Sequence, residues 1–290
     1  MAGSLRAGRR RIGALLILLA TAPAAASTGL PREHMPQAAM SLVRVYAARA
    51  AATSAASAIV IAPGRAVTSC HVLGTARQAA VSRSGEGVRA ELLAADRRHD
   101  LCLLGNDALR AAPARIAPAA SVSVGDAVFA VGYTAGRFAF SEGRIEALYT
   151  MDGSHVIRTS AGFAAGASGG GLFDREGRLV GLLTFYRRGP AGSTYFAVPA
   201  DWIGDLLAQV DSPSPPDDRT PPFWSPDTRD PPAFLTAFAL ETEGNWEELA
   251  RFARRWLDAE PGSAEARAAL SLAGERQAGP NRSDRGEEPR

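Results

Sequence analysis

A serine among glycines is the feature of this sequence that most directly suggests chemistry. Ser168 stands in the run GASGGG at positions 166–171. Glycine has no side chain, so a tight turn here can expose the Ser168 hydroxyl and aim neighbouring backbone N–H groups at one point. A nucleophile for acyl transfer needs both features. Because serine between glycines also occurs in ordinary turns, the sequence must supply partners before Ser168 can be assigned a role.

Two residues upstream of Ser168 have the chemistry to activate it. His71 lies near the end of the apolar run AVTSCHVL at 66–73, and Asp100 directly precedes LCLL at 101–104. A serine hydroxyl attacks well only when a histidine accepts its proton, and that imidazole needs a buried carboxylate to hold its tautomer. Each residue alone has an ordinary structural explanation, but three coincidences would be needed together. The sequence therefore predicts a catalytic triad, with Ser168 as nucleophile, His71 as general base and Asp100 as its orienting group.

The order and rough spacing of these three residues resemble the chymotrypsin-type serine proteases. The local sequences are most similar to a bacterial, loop-poor branch, the HtrA-type trypsin-like peptidases, whose motifs are Thr-Asn-x-His-Val, Asp-Leu-Ala-x-Leu and Gly-Asn-Ser-Gly-Gly-Pro-Leu. The resemblance covers roughly residues 40–205. None of the departures from these motifs removes a catalytic side chain; they are Ser69, Cys102, Ala167 and Gly171.

The resemblance implies a fold and an activity. The fold would be mainly β, with two antiparallel six-stranded β-barrels followed by a small α-helical C-terminal segment. The activity would be that of a serine endopeptidase, which hydrolyses peptide bonds through an acyl-enzyme and needs neither cofactor nor metal. The backbone N–H groups of Gly166 and Ser168 would form the oxyanion hole, which the glycine geometry also favours.

The resemblance also implies the residues of a substrate pocket. Gly162, six residues before the nucleophile, would lie at its floor and carries no charge. Trypsin-like preference for arginine or lysine is therefore not expected, and small or medium apolar side chains would fit. The wall would be formed by Thr184, Phe185 and Tyr186.

The distribution of short apolar segments favours a β-rich fold in its own right. Strand-like runs separated by glycine-containing turns fill residues 41–105, which carry the predicted base and carboxylate. A second set fills residues 122–198, which carry the predicted nucleophile. Many short strands of this kind are typical of antiparallel barrels. The predicted triad would therefore draw on both barrels.

Two other functions use the same features. The chain could be a catalytically weak or inactive protease-fold protein that binds a protein partner through its C-terminal helices, although the intact triad argues against this. It could also be an esterase that uses the same triad. The partners predicted for the protease itself are protein or peptide substrates. Labelling of Ser168 by a fluorophosphonate would separate the binding protein from the two enzymes.

The composition is that of a globular protein without a nucleic-acid surface. The chain has 290 residues, of which 46% are hydrophobic and 21% charged, enough for a substantial core. All 32 basic residues are arginine, they are spread along the chain, and the formal net charge is only +2. A nucleic-acid-binding surface needs clustered basic residues, so the sequence predicts no nucleic-acid partner.

Residues 1–26 have the three parts of a secretory signal peptide. Arginines at positions 6 and 9–11 precede an apolar run at 12–19, and three alanines at 24–26 offer a cleavage site. The apolar run is short for a membrane span. We therefore predict an exported protein, periplasmic or secreted, with no stable membrane span after signal cleavage. An uncleaved anchor is the alternative.

The only two cysteines flank the predicted histidine–aspartate pair. Cys70 precedes His71, and Cys102 follows Asp100 by two residues. A hydrogen bond between His71 and Asp100 would bring both backbones together, and an exported protein meets an oxidising compartment. Cys70 and Cys102 are therefore predicted to lie close together, either as a disulfide or as two buried thiols.

The sequence divides into a signal peptide and four further segments. The protease domain is predicted at 27–210. Eight prolines fall within 211–232, which predicts an extended linker because proline interrupts helices and sheets. Residues 233–276 have helical spacing and resemble a tetratricopeptide repeat; the alternative is a plain helical hairpin docked on the protease domain. Residues 277–290 are polar and predicted to be disordered.

Overall fold

The structure is a computed structural model that describes residues 34–48, 53–190, 192–211 and 219–278. The predicted signal peptide at 1–26 lies outside the described residues, as does most of the predicted tail.

Six antiparallel strands close into a first barrel. Neighbouring strands follow the order β1-β2-β3-β6-β5-β4, and β4 pairs back onto β1. Side chains alternate between the two faces of each strand, so the small alanines and valines of alternate positions fill most of the interior. The strands are β1 (Leu42–Ala48), β2 (Thr53–Ala62), β3 (Arg65–Ser69), β4 (Gln78–Arg83), β5 (Glu86–Asp96) and β6 (Leu101–Gly105).

The second barrel is a ring of six strands with one short addition. Its neighbours follow the order β11-β8-β9-β10-β13-β12, and pairing of β11 with β12 closes the ring. The two-residue strand β7 adds to β12 in parallel, which the sequence did not predict. The strands are β7 (Arg115–Ile116), β8 (Ala127–Thr134), β9 (Arg137–Met151), β10 (Ser154–Thr159), β11 (Gly171–Phe173), β12 (Arg178–Gly189) and β13 (Gly192–Pro199). The mainly β fold with two six-stranded barrels is therefore confirmed.

The helices are short, and three of them form the C-terminal segment. Gly244 ends one helix in the left-handed conformation, and the Asn245 side chain accepts a hydrogen bond from the Glu248 N–H at 3.3 Å to begin the next. No helix within the described ranges has the length and apolar character to cross a membrane. The helices are α1 (Met35–Ser41), α2 (Cys70–Leu73), α3 (Trp202–Asp211), α4 (Ala233–Glu243), α5 (Trp246–Ala259) and α6 (Ala264–Ala278), with a 3₁₀ turn at Ala119–Ser121.

Helix α4 packs directly on the second barrel. The Phe234 ring stacks on Tyr149 of β9 with a centroid distance of 4.5 Å. Phe238, one turn later, places its ring edge-on to Phe196 of β13 at 5.4 Å. Helix α4 is therefore attached to the second barrel through aromatic contacts. Whether they form a tetratricopeptide-like unit stays a prediction.

Residues 219–232, which we call the strap, differ from the predicted linker. They contain no helix or strand, yet Phe223 is 1% exposed and belongs to the core shared by the barrels and α4. The Phe223 N–H donates to the Arg98 carbonyl at 2.9 Å, and the Thr228 hydroxyl donates to the Pro222 carbonyl at 2.7 Å. The prediction of an extended linker is wrong for this part of the chain, because proline excludes regular structure without preventing burial.

The buried strap predicts a large loss of stability on truncating Phe223. We expect Phe223→Ala to lower the free energy of unfolding by about 3–5 kcal/mol, as for other buried phenylalanines. Phe138, which is 47% exposed, is the matched control. Phe138→Ala should change the free energy of unfolding by about 0.5 kcal/mol or less. Urea denaturation of both variants tests this. Equal unfolding midpoints would mean that the strap does not pack as described.

Candidate active site

The first barrel brings His71 and Asp100 together. Strands β3 and β6 are antiparallel neighbours, and Ser69 at the end of β3 pairs with Leu101 at the start of β6. His71, in the short helix after β3, therefore lies beside Asp100. Their side chains meet at 2.7 Å between His71 Nδ1 and Asp100 Oδ2, and the His71 backbone N–H donates to Asp100 Oδ1 at 2.8 Å. The buried carboxylate can thus fix the ring orientation and leave Nε2 free for proton transfer.

Thr184 of β12 gives the Asp100 carboxylate a third hydrogen bond. The Thr184 hydroxyl donates to Asp100 Oδ2 at 2.6 Å, and its side chain is buried. The prediction that Thr184 lines the pocket wall therefore does not hold for its side chain. Its side chain crosses between the barrels and holds the carboxylate in place, so it supports the histidine rather than contacting substrate.

Ser168 reaches the same place from the second barrel. Its hydroxyl donates to the Thr184 carbonyl at 3.3 Å, so one threonine contacts the nucleophile through its backbone and the carboxylate through its side chain. The first barrel also holds this loop, because the Ser57 N–H donates to the Ser168 carbonyl at 3.0 Å. Proton transfer during attack requires the Ser168 hydroxyl to exchange the Thr184 carbonyl for His71 Nε2.

Glycine is required beside Ser168 by a close approach of the two barrels. Gly169 has φ +79°, and a Cβ there would lie 2.3 Å from the Ser57 carbonyl oxygen and 2.5 Å from Thr68 Oγ1. Gly166 has φ +95°, and its carbonyl accepts the Ser57 hydroxyl at 2.8 Å. Larger residues would push the nucleophile loop away from the first barrel.

From Gly166 to Gly169, backbone N–H groups that donate a hydrogen bond to another described residue alternate with groups that do not. The Ala167 N–H donates to Ala164 at 3.0 Å, and the Gly169 N–H donates to Leu183 at 2.8 Å. Within the described part of the chain, the N–H groups of Gly166 and Ser168 donate to no protein acceptor. These two predicted oxyanion-hole groups are thus available to an incoming oxygen.

Two of the predicted pocket residues lie together beside an aromatic cluster. A Cβ at Gly162 would lie 3.3 Å from the Tyr195 ring, so the absence of a side chain lets that ring pack closely against the Gly162 backbone. Tyr186 lies next to Tyr195, with ring centroids 6.1 Å apart, and Phe163 lies 5.2 Å from Tyr195. Tyr195 and Phe163 are neighbours of the site that sequence reasoning missed.

Phe185 lies elsewhere than predicted. Its buried ring stacks on Phe196 at 4.5 Å, inside the shared core. Side chains alternate along a strand, and β12 also shifts register between Leu183 and Phe185. Phe185 therefore faces away from Thr184 and Tyr186, and the prediction that it lines the same wall is wrong.

Trp224 of the strap contacts His71, and the sequence did not predict this contact. Its ring lies 5.3 Å from the His71 ring at 89°, and it stacks on Phe185 at 5.3 Å and 19°. Arg187 donates a hydrogen bond to the Trp224 carbonyl. The signal that could have found this contact is the Phe223–Trp224 pair set among prolines, since two adjacent aromatics are unusual in an extended linker.

A second histidine–carboxylate cluster lies outside this site. His99 contacts Asp96 at 2.6 Å through Nδ1 and Asp152 at 2.8 Å through Nε2, and it stacks on Trp202 at 3.8 Å. Burial lowers the pKa of His99, but the hydrogen bonds and charges of the two carboxylates raise it above its ordinary value overall. With both ring nitrogens engaged, His99 is a structural group and its cluster serves as a control.

The two cysteines form a disulfide beside the histidine–aspartate pair. Cys70 and Cys102 are bonded, with their Cα atoms 5.0 Å apart, and both are buried. The bond joins the end of β3 to β6, so it braces the two segments that carry His71 and Asp100. The disulfide alternative of the sequence prediction is therefore confirmed.

Removing this disulfide should destabilise the protein. The chain-entropy relation for the 32-residue separation gives about 3–4 kcal/mol of lost unfolding free energy for the Cys70→Ala, Cys102→Ala double variant. We expect a lower urea midpoint in the variant and no further shift when reductant is added to it. Wild-type protein with an unchanged midpoint under reducing conditions would contradict a bracing role.

Comparison with known proteins agrees with the geometry. Residues 56–182, which contain His71, Asp100 and Ser168, match the family of trypsin-like peptidase domains. The chain is 29% identical over 160 residues to a probable periplasmic serine endoprotease, DegP-like, from Halomonas elongata; the match covers 52% of this chain and 34% of that protein. The chain spans about a third of the length of the curated relatives it matches.

Solved structures place the chain in the same group. A serine endoprotease from Yersinia pestis superposes with a TM-score of 0.56 at 26% identity, covering 63% of this chain and 66% of that one. The HtrA-type protease AlgW, solved with a tripeptide, superposes with a TM-score of 0.55 at 25% identity, covering 61% and 62%. Residues 56–182 are therefore similar to trypsin-like peptidase domains, and the chain has the chymotrypsin fold that these HtrA-type structures share.

Proposed function

We propose that the protein is an exported serine endopeptidase with Ser168, His71 and Asp100 as its triad. The observation that carries the proposal is the bonded array at the barrel junction. Asp100 holds His71 at 2.7 Å, and Thr184 joins that carboxylate to the Ser168 hydroxyl. Nucleophile, base and orienting carboxylate thus converge from both barrels, as acyl transfer requires.

The proposed reaction follows from these contacts. Ser168 Oγ attacks the peptide carbonyl carbon while His71 Nε2 accepts its proton, and Asp100 stabilises the imidazolium. The carbonyl oxygen becomes an oxyanion that the unbonded N–H groups of Gly166 and Ser168 can bind. His71 then donates the proton to the leaving amine, which departs and leaves an acyl-enzyme. Water attacks the acyl carbon while His71 accepts its proton, and His71 then donates that proton to the departing Ser168 Oγ, which releases the carboxylic acid product.

A groove beside the oxyanion donors is suited to the leaving side. It has a volume of about 200 Å³ and is lined by Ala56, Tyr133 and Gly166 among others. It therefore lies next to the point at which the oxyanion would form. We assign it to the departing part of the substrate and to the incoming water. The cluster of Gly162, Tyr186 and Tyr195 is the proposed pocket for the cleaved residue, which would take small or medium apolar side chains.

The experiment that tests this function compares two substrate types. Wild-type protein should cleave casein and release internal peptides, whereas a short-chain ester should be a poor substrate. His71→Ala should abolish both. Efficient ester turnover with intact casein would favour the esterase, and activity of His71→Ala equal to wild type would exclude the triad mechanism.

Export is proposed from three features taken together. The Halomonas elongata relative is named as periplasmic, residues 1–26 have the pattern of a signal peptide, and the Cys70–Cys102 disulfide suits an oxidising compartment. Expression of the full chain in a Gram-negative host should give a processed form in the periplasm. A chain that lacks residues 1–26 should remain in the cytoplasm, and identical fractionation of the two would contradict export through this segment.

A binding role of the C-terminal helices is the second candidate function. Helices α4 and α6 enclose with β9 and β10 a cavity of about 890 Å³, lined by Tyr149, Arg158, Phe238, Ala269 and Leu272 among others. A binding protein would keep its biological effect in Ser168→Ala and lose it when Ala269→Arg fills the cavity. A protease would lose its biological effect in Ser168→Ala and keep it in Ala269→Arg. Testing which variant complements a strain that lacks the protein therefore separates the two functions.

A further inference from the structure

We infer that Trp224, supported from beneath by Phe185, forms with His71 an apolar subsite for the substrate side chain next to the cleaved residue on its amino-terminal side. Trp224 would then be a specificity-determining residue that lies outside residues 56–182, the region that matches the peptidase family. The inference rests on the proposed endopeptidase function. It concerns a surface to which the strap contributes Trp224, and the kinetic test changes no residue of the triad.

The strap is fixed to both barrels at this point. On the first barrel, the Phe223 N–H donates to the carbonyl of Arg98, two residues before Asp100. On the second, Arg187 donates to the Trp224 carbonyl and the indole stacks on Phe185. Buried Phe223 anchors the segment between these contacts. Trp224 is thus held across the junction between the barrels rather than lying loosely on their surface.

The rings of Trp224 and His71 make a corner. Their planes stand at 89° with centroids 5.3 Å apart, and the indole lies nearly parallel to Phe185 beneath it. A side chain that enters this corner would meet aromatic surface on two sides. Arg187 adds a positive charge close by, since its guanidinium lies 5.0 Å from the centre of the Phe185 ring. The corner therefore favours an apolar side chain over a basic one.

The strap shapes the site without sealing it. The His71 side chain remains 30% exposed although Trp224 lies beside it, and Ser168 is also partly exposed. A segment that blocked the nucleophile would leave both buried. The reactive atoms are accessible, so Trp224 is a wall of the groove.

Trp224 belongs to the acyl side of the scissile bond. The leaving amine must depart and water must enter while the acyl-enzyme is intact, so the leaving side has to be open. The open groove by Gly166 and Tyr133 meets that need, whereas the Trp224 side is bordered by an anchored strap that leaves His71 and Ser168 partly exposed. Along β12, the chain runs from Thr184, which contacts Ser168, directly to Phe185 and Arg187, which contact Trp224. An acyl chain that follows β12 from Ser168 would reach Trp224 within one or two residues.

The test uses two peptides that differ only at the residue before the cleaved one, leucine in one and glycine in the other. We expect wild-type kcat/KM to favour leucine by about tenfold to a hundredfold, the range for burying one such side chain. Trp224→Ala should bring the two peptides to nearly equal kcat/KM, and Trp224→Phe should restore part of the preference. Trp246→Ala, in α5, is the matched control and should keep the wild-type preference.

A binding measurement separates this inference from the proposed chemistry. Both peptides are titrated into Ser168→Ala protein and into Ser168→Ala with Trp224→Ala, each folded by circular dichroism. A leucine preference in affinity that disappears with Trp224 supports the subsite even if no variant hydrolyses either peptide, in which case only the proposed function fails. An unchanged preference in Trp224→Ala overturns the inference. So does an equal rise in kcat/KM for both peptides, which would make the strap a block instead of a wall.

Discussion

Ser168→Ala protein is expected to hydrolyse peptides more slowly than wild type by about 10³-fold or more, because the attacking oxygen is absent while the oxyanion donors remain. The substitution removes one partly exposed hydroxyl whose hydrogen bond, to the Thr184 carbonyl, is long at 3.3 Å. The fold should therefore survive it. The measurement is kcat/KM on a quenched-fluorescence peptide, with the unfolding midpoint taken on the same preparation.

The matched control for the nucleophile is Ser193→Ala. Ser193 is an exposed serine in β13, paired with Arg188, and it has no contact with the triad. Its variant should retain the wild-type kcat/KM. Ser168→Ala protein that is folded, free of contaminating protease and as active as Ser193→Ala would exclude Ser168 as the nucleophile.

Asp100→Asn should lower kcat by about 10⁴-fold while leaving the fold intact. Asp100 accepts three hydrogen bonds, from the His71 backbone, the His71 ring and the Thr184 hydroxyl. An asparagine amide that faces the ring donates instead of accepting, which moves the imidazole proton to Nε2. That nitrogen can then no longer accept the proton of Ser168. The loss should appear in kcat measured under saturating peptide.

Asp96→Asn is the control for removing a carboxylate from a histidine. Asp96 contacts His99 at 2.6 Å in a cluster outside the site. Asp96→Asn therefore makes the same chemical change as Asp100→Asn, but at a histidine that is not His71. This variant should keep the wild-type kcat. A wild-type kcat in Asp100→Asn would show that another group orients His71, and an equal loss in both variants would indicate a general effect on folding.

The arrangement of His71, Asp100 and Ser168 at one place could be predicted from sequence because short motifs contain these residues. The residue after Ser168 must be glycine for a backbone reason, because any Cβ at Gly169 would lie 2.3 Å from the Ser57 carbonyl oxygen. His71 and Asp100 each adjoin a buried strand whose apolar run is visible in the sequence. The disulfide followed from the same pairing. In each case a local pattern and one contact between neighbouring strands were sufficient.

The substrate side could not be predicted in the same way. The directions of Thr184, Phe185 and Tyr186 depend on a register shift in β12 that no residue type in the segment signals. Thr184 therefore contacts Asp100 while Phe185 enters the core. The strap was missed because proline content describes the backbone and says nothing of what the intervening aromatic residues contact. The placement of Trp224 beside His71 is a tertiary contact between distant parts of the chain.

The most direct test of the account is to locate the residue that a fluorophosphonate probe modifies. The probe phosphonylates a serine activated by its histidine, and peptide mass spectrometry of the labelled protein identifies the site. The structure predicts a single adduct on Ser168 in wild-type protein, with labelling lost in His71→Ala although that variant remains folded. An adduct on another serine, no adduct on folded protein, or equal labelling of wild type and His71→Ala would contradict a catalytic Ser168–His71–Asp100 triad.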